Sequence, residues 1–343
     1  MPALFIFLSG CASIPPHIAE LEARPASVEL VDTPFFPQER YQCGPAALAT
    51  AISSSGIAVD LQDLVDRVYL PGRQGSLQVE MLAATRSVGR LPYVIDGTLQ
   101  ALWNELAAGR PVVVLQNLGV AAIPRWHFAV VVGLDTERDA ILLRSGVEQR
   151  RVTSLKTFLR TWRRSDYWGF IVLRPEELPI DVDRQRYQKA VAALEKAGHM
   201  EGAAVAWKVA INQWPGNPVA LFGLGNIELS LGNDLEAEAY FRAIVELDAK
   251  SVAARNNLEL PWPGRAALRK RWRNFRSREI MSLTRRSQQS WPTPRRSLWS
   301  NRVTLRHHNR RVACSGNSAT ICASSPAYDF ARPTSDERWA CPV

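Results

Sequence analysis

The densest chemical signal in the sequence is the run Phe35-Phe36-Pro37-Gln38-Glu39-Arg40-Tyr41-Gln42-Cys43-Gly44-Pro45-Ala46-Ala47-Leu48. The small apolar residues from Cys43 to Ser53 predict a helix that begins at the cysteine. Pro45 falls in its first turn, where a missing N–H costs nothing. A cysteine at a helix N-terminus feels the positive end of the dipole and unpaired backbone N–H groups, and both favour thiolate over thiol. Gly44 beside it is expected to leave the backbone open to a substrate. A thiolate nucleophile needs a base. His127 stands at the start of Trp126-His127-Phe128-Ala129-Val130-Val131-Val132-Gly133, a branched and aromatic run that reads as a strand. A histidine at a strand start can face a helix N-terminus across a cleft, which gives the Cys43–His127 pair the chemistry of acyl transfer.

The elements that must carry this pair come in two kinds. Leu61, Leu64, Val65 and Val68 recur at helical spacing, a helix from Leu77 to Val88 ends at Gly89 with Ser76 as its expected cap, and another runs from Leu99 to Ala108 and stops at Gly109. The period then changes. Segments 111–115, 126–132, 140–143 and 167–173 are short, branched or aromatic, and bounded by turn residues. Helices followed by a sheet predict an α+β fold over residues 31–175.

Residues 187–260 differ again. Gly198 and Gly232 lie 34 residues apart, as do Trp207 and Phe241, and Ala220 and Ala254. The period resembles that of the tetratricopeptide repeat, a stacked pair of helices. Pro218 to Lys250 fits one complete unit, a weaker unit precedes it, and a third begins. Such an all-α segment implies docking of a protein partner.

The cysteine and histidine segments together resemble the peptidase C39-like family of papain-like fold, over about residues 31–175. The resemblance implies that Cys43 is the nucleophile, that His127 is the general base, and that the Gln38 amide, five residues ahead, joins the Cys43 N–H in holding a tetrahedral oxyanion. Gln42 is the rival for that role. The family's third residue is an Asp that orients the histidine, and Ser145 stands in its place, in Arg144-Ser145-Gly146. A hydroxyl accepts from an imidazole N–H but supplies no negative charge. Asp135, expected in a hairpin turn, and the more remote Asp166 are the alternatives. Trp126 reads as a cleft wall, and Arg73 as a loop cation able to grip a substrate carboxylate. No third ligand is spaced to make a metal site of Cys43 and His127, and no cofactor is expected. The implied activity is a cell-envelope cysteine peptidase or amidase acting on a peptide or protein. The alternative is a catalytically weak or inactive peptide-binding protein using the same cleft.

The termini bear on location. Ala3 to Leu8 is apolar and is followed by Leu8-Ser9-Gly10-Cys11, which resembles the lipobox of bacterial lipoproteins, with lipid on Cys11. The apolar run is six residues long and no Lys or Arg precedes Cys11, so residues 1–11 read as a short signal segment, as a truncated one would, before a linker over 12–30. Ala12 and Ser13 resemble outer-membrane sorting, which implies a lipid anchor facing the periplasm of a Gram-negative bacterium. The net charge of +9 is concentrated at the other end, since residues 261–343 carry +13 and the rest −4. That tail mixes Arg, Ser, Trp and Pro without periodicity and cuts the third repeat short. It reads as a basic disordered or out-of-frame segment, and no nucleic acid is expected as partner because no ordered basic face or known module is present. No run of about 18 apolar residues occurs, which excludes a polytopic membrane protein, and no GxxxxGK[ST] loop occurs, which excludes a P-loop nucleotide enzyme.

Overall fold

The computed structural model describes Leu21 and residues 27–259. The expectations for Cys11 and for the tail from 261 onward fall outside them.

The chain from Val28 to Leu173 is mixed α/β around one antiparallel sheet. In chain order the elements are β1 (Val28–Glu29), α1 (Cys43–Ser54), α2 (Leu61–Val68), α3 (Gln78–Ser87), β2 (Leu91–Val94), α4 (Leu99–Ala107), β3 (Val112–Asn117), β4 (Trp126–Asp135), β5 (Ala140–Ser145), β6 (Glu148–Ser154), α5 (Leu155–Arg163) and β7 (Gly169–Leu173). The sheet runs β2-β7-β3-β4-β5-β6, and β1 adds to β4. β3 pairs with β4 from Asn117↔Trp126 to Val112↔Val131, and β1 takes up Gly133 and Leu134 beyond that point. The end of the segment read as a linker is therefore part of the sheet.

Both faces of the central strands are covered, which explains why they read as unbroken apolar runs. Side chains alternate along a strand. Phe128, Val130 and Val132 of β4 join Val113 and Leu115 of β3 and pack on α1, α2 and α3. Ala129, Val131 and Leu134 face the other way, with Val112 and Val114, onto α4 and α5. Helix α1 is buried along Cys43–Ile52. Its alanines at 46, 47, 49 and 51 let it lie close to the sheet, and Leu48 and Ile52 fill the remaining space.

Side chains cap several of the helix starts: Asp60 accepts from the Gln62 N–H at 2.9 Å, and Thr98 accepts from the Ala101 N–H at 3.0 Å. Ser76 does not cap. Helix α3 starts one residue later than expected, with Leu77 at its N-cap, and the Ser76 hydroxyl is buried against α1 instead. Strand β6 and helix α5 were not legible as elements. β6 is almost wholly exposed and polar (Glu-Gln-Arg-Arg-Val-Thr-Ser), so it has no apolar alternation to show. Helix α5 buries Phe158, Leu159 and Trp162 at helical spacing.

Five further helices follow: α6 (Arg184–Lys196), α7 (Met200–Gln213), α8 (Pro218–Ser230), α9 (Asp234–Leu247) and α10 (Val252–Glu259). The starts of α6, α8 and α10 are spaced 34 residues apart, as are those of α7 and α9. Gly198 and Gly232, both at positive φ, make the turns within the two pairs. The helices continue the core under the sheet: Tyr187, Val191 and Trp207 belong to the same buried cluster as Leu91, Tyr93 and Leu173.

Candidate active site

The site forms where the N-terminus of α1 meets the starts of β4 and the end of β5. The approach to α1 is tightly turned. Gln42 N–H bonds to the Glu39 carbonyl at 3.1 Å, and Tyr41 sits at φ 68°, a left-handed conformation unfavourable for a residue with a Cβ. Such a conformation costs energy that the surrounding structure must offset. Gln42 is then the N-cap, and Cys43 is the first helical residue.

Cys43 is 2% exposed, and its Sγ accepts a hydrogen bond from the Phe128 N–H at 3.4 Å. The thiol position thus lies against the peptide that follows His127. Cys43 is disulfide-bonded in this structure, and the other four cysteines, at 11, 314, 322 and 341, lie outside the described residues. Thiolate is the nucleophilic form, so acyl-transfer chemistry at this position requires the reduced protein.

His127 is 3% exposed. Its Nε2 lies 2.8 Å from the Ser145 Oγ, and its Nδ1 is buried with no hydrogen-bond partner. With a proton on Nε2 donated to the hydroxyl, Nδ1 carries a free lone pair, the arrangement a base needs. Burial pulls the imidazole pKa down to about 4, and the Arg151 guanidinium adds repulsion. The ring is therefore neutral at pH 7. A neutral imidazole is the form that can accept a proton from a neighbouring group.

Ser145 ends β5, 5% exposed, just before a two-residue turn at Gly146 and Val147. Gly146 has φ 65°, which only glycine adopts at little cost. The same turn reaches the loop before α1, because the Gln38 N–H donates to the Gly146 carbonyl at 3.2 Å. Gln38, Cys43, Arg144 and Ser145 line one small cavity of about 10 Å³, walled by Phe35, Phe36 and Phe128. The structure thus gathers Gln38, Cys43, His127 and Ser145, which are spread over 108 positions of sequence. Gln42, next to the cysteine, is not among the residues lining the cavity.

The remaining candidates lie elsewhere. Asp135 ends β4 and closes its own turn, with Oδ1 accepting from the Glu137 and Arg138 N–H groups at 3.1 and 3.0 Å. Asp166 is exposed in a left-handed turn after α5. Arg73 is exposed on a 3-10 turn and does not line the cavity. Trp126 is partly buried and packs on the core that contains Cys43. Gly44 is not open to a substrate: a Cβ there would lie 2.3 Å from the Ser76 Oγ and 2.6 Å from its Cβ, so the glycine is needed for packing. Arg144 is the site residue that sequence reasoning missed. Its one signal was an arginine inside an otherwise apolar strand.

Residues 30–169 match the family model described as Peptidase_C39 like family. Among solved structures, a C39-like peptidase from Bacillus anthracis is 15% identical, with 44% of this chain and 98% of that chain covered, at a TM-score of 0.37. The peptidase domain of Streptococcus ComA, a bi-functional ABC transporter involved in a quorum-sensing pathway, is 14% identical, with 41% and 98% covered, at a TM-score of 0.34. A double glycine motif protease from an AMS/PCAT transporter, in complex with its leader peptide, is 18% identical, with 41% and 91% covered, at 0.32. No curated protein matches the chain.

Proposed function

We propose that the domain is a thiol peptidase or amidase that works, in its reduced form, through an acyl-enzyme on Cys43. The observation that carries this reading is the state of His127: a buried neutral imidazole, held at Nε2 by Ser145, with Nδ1 unpartnered beside the strand position that touches the Cys43 sulfur. In the first half-reaction the Cys43 proton passes to Nδ1 as Sγ bonds to the carbonyl carbon. The C–N bond then breaks and Nδ1 returns that proton to the leaving amine. In the second, water gives a proton to Nδ1 as its oxygen bonds to the acyl carbon. The C–S bond breaks, and the proton on Nδ1 returns to sulfur. The Gln38 amide and the Cys43 N–H are assigned to the developing oxyanion. The substrate is a peptide or protein. Dithiothreitol-treated protein should cleave a fluorogenic casein, and Cys43→Ala and His127→Ala should each abolish cleavage.

A second reading is a peptide-binding protein with little or no turnover. The neutral Ser145 favours it, because no carboxylate offsets the charge that His127 acquires during the reaction. Peptide capture by the reduced protein without cleavage, unchanged in Cys43→Ala, would select it.

The 34-residue spacing of the helix starts supports reading α6–α10 as tetratricopeptide-like repeats that dock a protein partner. We further place the protein in the cell envelope, anchored by lipid on Cys11. Incorporation of labelled palmitate, lost in Cys11→Ser, tests the anchor.

A further inference from the structure

We propose that Arg144 is a positioning residue for the oxyanion site, holding the segment that carries Gln38 against the β5–β6 hairpin. Arg144 is 5% exposed, and its bonds run to backbone carbonyls from two directions. Nη2 donates to Val31 at 3.0 Å and to Thr33 at 3.2 Å, Nε donates to Thr33 at 3.3 Å, and Nη1 donates to Gln149 on β6 at 2.6 Å. Residues 33–39 have no regular structure, so no strand ladder locates them. Arg144 and the Gln38 N–H bond to Gly146 are cross-links from this segment to the hairpin. The hairpin also presents Ser145 to His127. One planar guanidinium thus ties the placement of Gln38 to the strand end that holds the base, and a fork of fixed donors suits that task better than a single ammonium point charge.

The inference rests on the assignment of Gln38 to the oxyanion, and the experiment separates the two. The full chain, with Cys11, Cys314, Cys322 and Cys341 replaced by Ser, is reduced and treated with p-nitrophenyl acetate. Attack by the Cys43 thiolate on the ester carbonyl passes through an oxyanion and expels p-nitrophenolate, which is read optically. Iodoacetamide alkylates the same sulfur by displacing iodide, with no oxyanion. Gln38→Ala should lower the acylation rate about a hundredfold and leave alkylation unchanged. Arg144→Met should lower acylation about tenfold or more, also with alkylation unchanged, because small misplacements of a reacting geometry carry costs of that order. The double variant should be no slower than Gln38→Ala alone, because both changes remove one effect. If Gln38→Ala does not slow acylation, the oxyanion assignment fails. If it does, but Arg144→Met leaves acylation intact, slows alkylation equally, or adds its full effect to that of Gln38→Ala, the positioning role is overturned. Should Arg144→Met fail to fold, the same readings on Arg144→Lys decide by the same criteria.

Discussion

His127 is neutral at pH 7 because its ring is sealed from water, and this has a cost at low pH. Its folded pKa of about 4 lies below the ordinary value of 6.5, so between those limits the unfolded chain binds more protons than the folded one. Stability associated with this group is complete above pH 6.5, falls as the pH drops toward 4, and levels off below. The drop amounts to about 3 kcal/mol at one unit per 1.4 kcal/mol. Urea midpoints at pH 7 and pH 4.5 should differ by less in His127→Gln than in the parent. Ser145→Asp tests the partner. A carboxylate 2.8 Å from Nε2 would favour the imidazolium and raise the His127 pKa. It should speed turnover at least tenfold, since loss of the triad carboxylate in a serine protease costs about four orders of magnitude. Ser145→Ala should slow it only modestly, because a neutral hydrogen bond worth about 0.5–1.5 kcal/mol is lost. A silent Ser145→Ala together with an inactive but folded Ser145→Asp would remove Ser145 from the mechanism.

At the scale of the element, the N-terminus of α1 is held by packing. The Ser76 side chain occupies the space over Gly44, and Met81 of α3 closes in behind at 3.3 Å from a built Cβ. Gly44→Ala should therefore destabilise the domain by about 1–3 kcal/mol, the usual cost of overpacking, less up to about 1 kcal/mol recovered from helix propensity. Gly44→Ala combined with Ser76→Gly should recover most of the loss in denaturant unfolding, because the clashing atoms are then gone. Equal loss in the single and double variants would show that the glycine is needed for another reason. The alanine-rich face of α1 and the apolar runs of β3 and β4 were legible as elements because burial on both sides leaves an unbroken apolar signature. β6 was not, since an exposed edge strand needs no apolar face.

At the scale of the whole molecule, the helices after β7 complete a core that the sheet leaves open. Tyr93 is 1% exposed beneath them, and its hydroxyl accepts from the Asp183 N–H at 2.8 Å and donates to the Asp181 carbonyl at 3.3 Å. The buried Glu105 accepts from the Ile180 N–H at 2.8 Å while pairing with Arg110 at 2.6 Å. The connection between sheet and helices is thus stitched down. Tyr187, fully buried at their junction, should cost about 3–5 kcal/mol when cut to Ala, in line with other large aromatics. If the two parts unfold together, circular dichroism and intrinsic fluorescence should lose signal in one shared transition, shifted by Tyr187→Ala in both. Two separate transitions, with only the later one shifted, would mean that the helices fold as a unit of their own.

The placing of Cys43 at a helix start and of His127 at a strand start was readable from the chain alone. Cys43 announces itself by local sequence, a helix start with Gly-Pro behind it, and His127 by the strand it opens; both signals are short-range. The 34-residue spacing of the later helices was readable for the same reason, since a repeat is a local pattern written twice. What only the tertiary structure decided was the company these residues keep. That Ser145 and not Asp135 meets the imidazole depends on the bulged register between β4 and β5 and on the turn at Gly146. That Gly44 serves Ser76, that Arg144 clamps the approach to Cys43, and that His127 is neutral are consequences of burial among segments far apart in sequence. Which segments meet around a given side chain is set by three-dimensional packing, and neither composition nor spacing carries that.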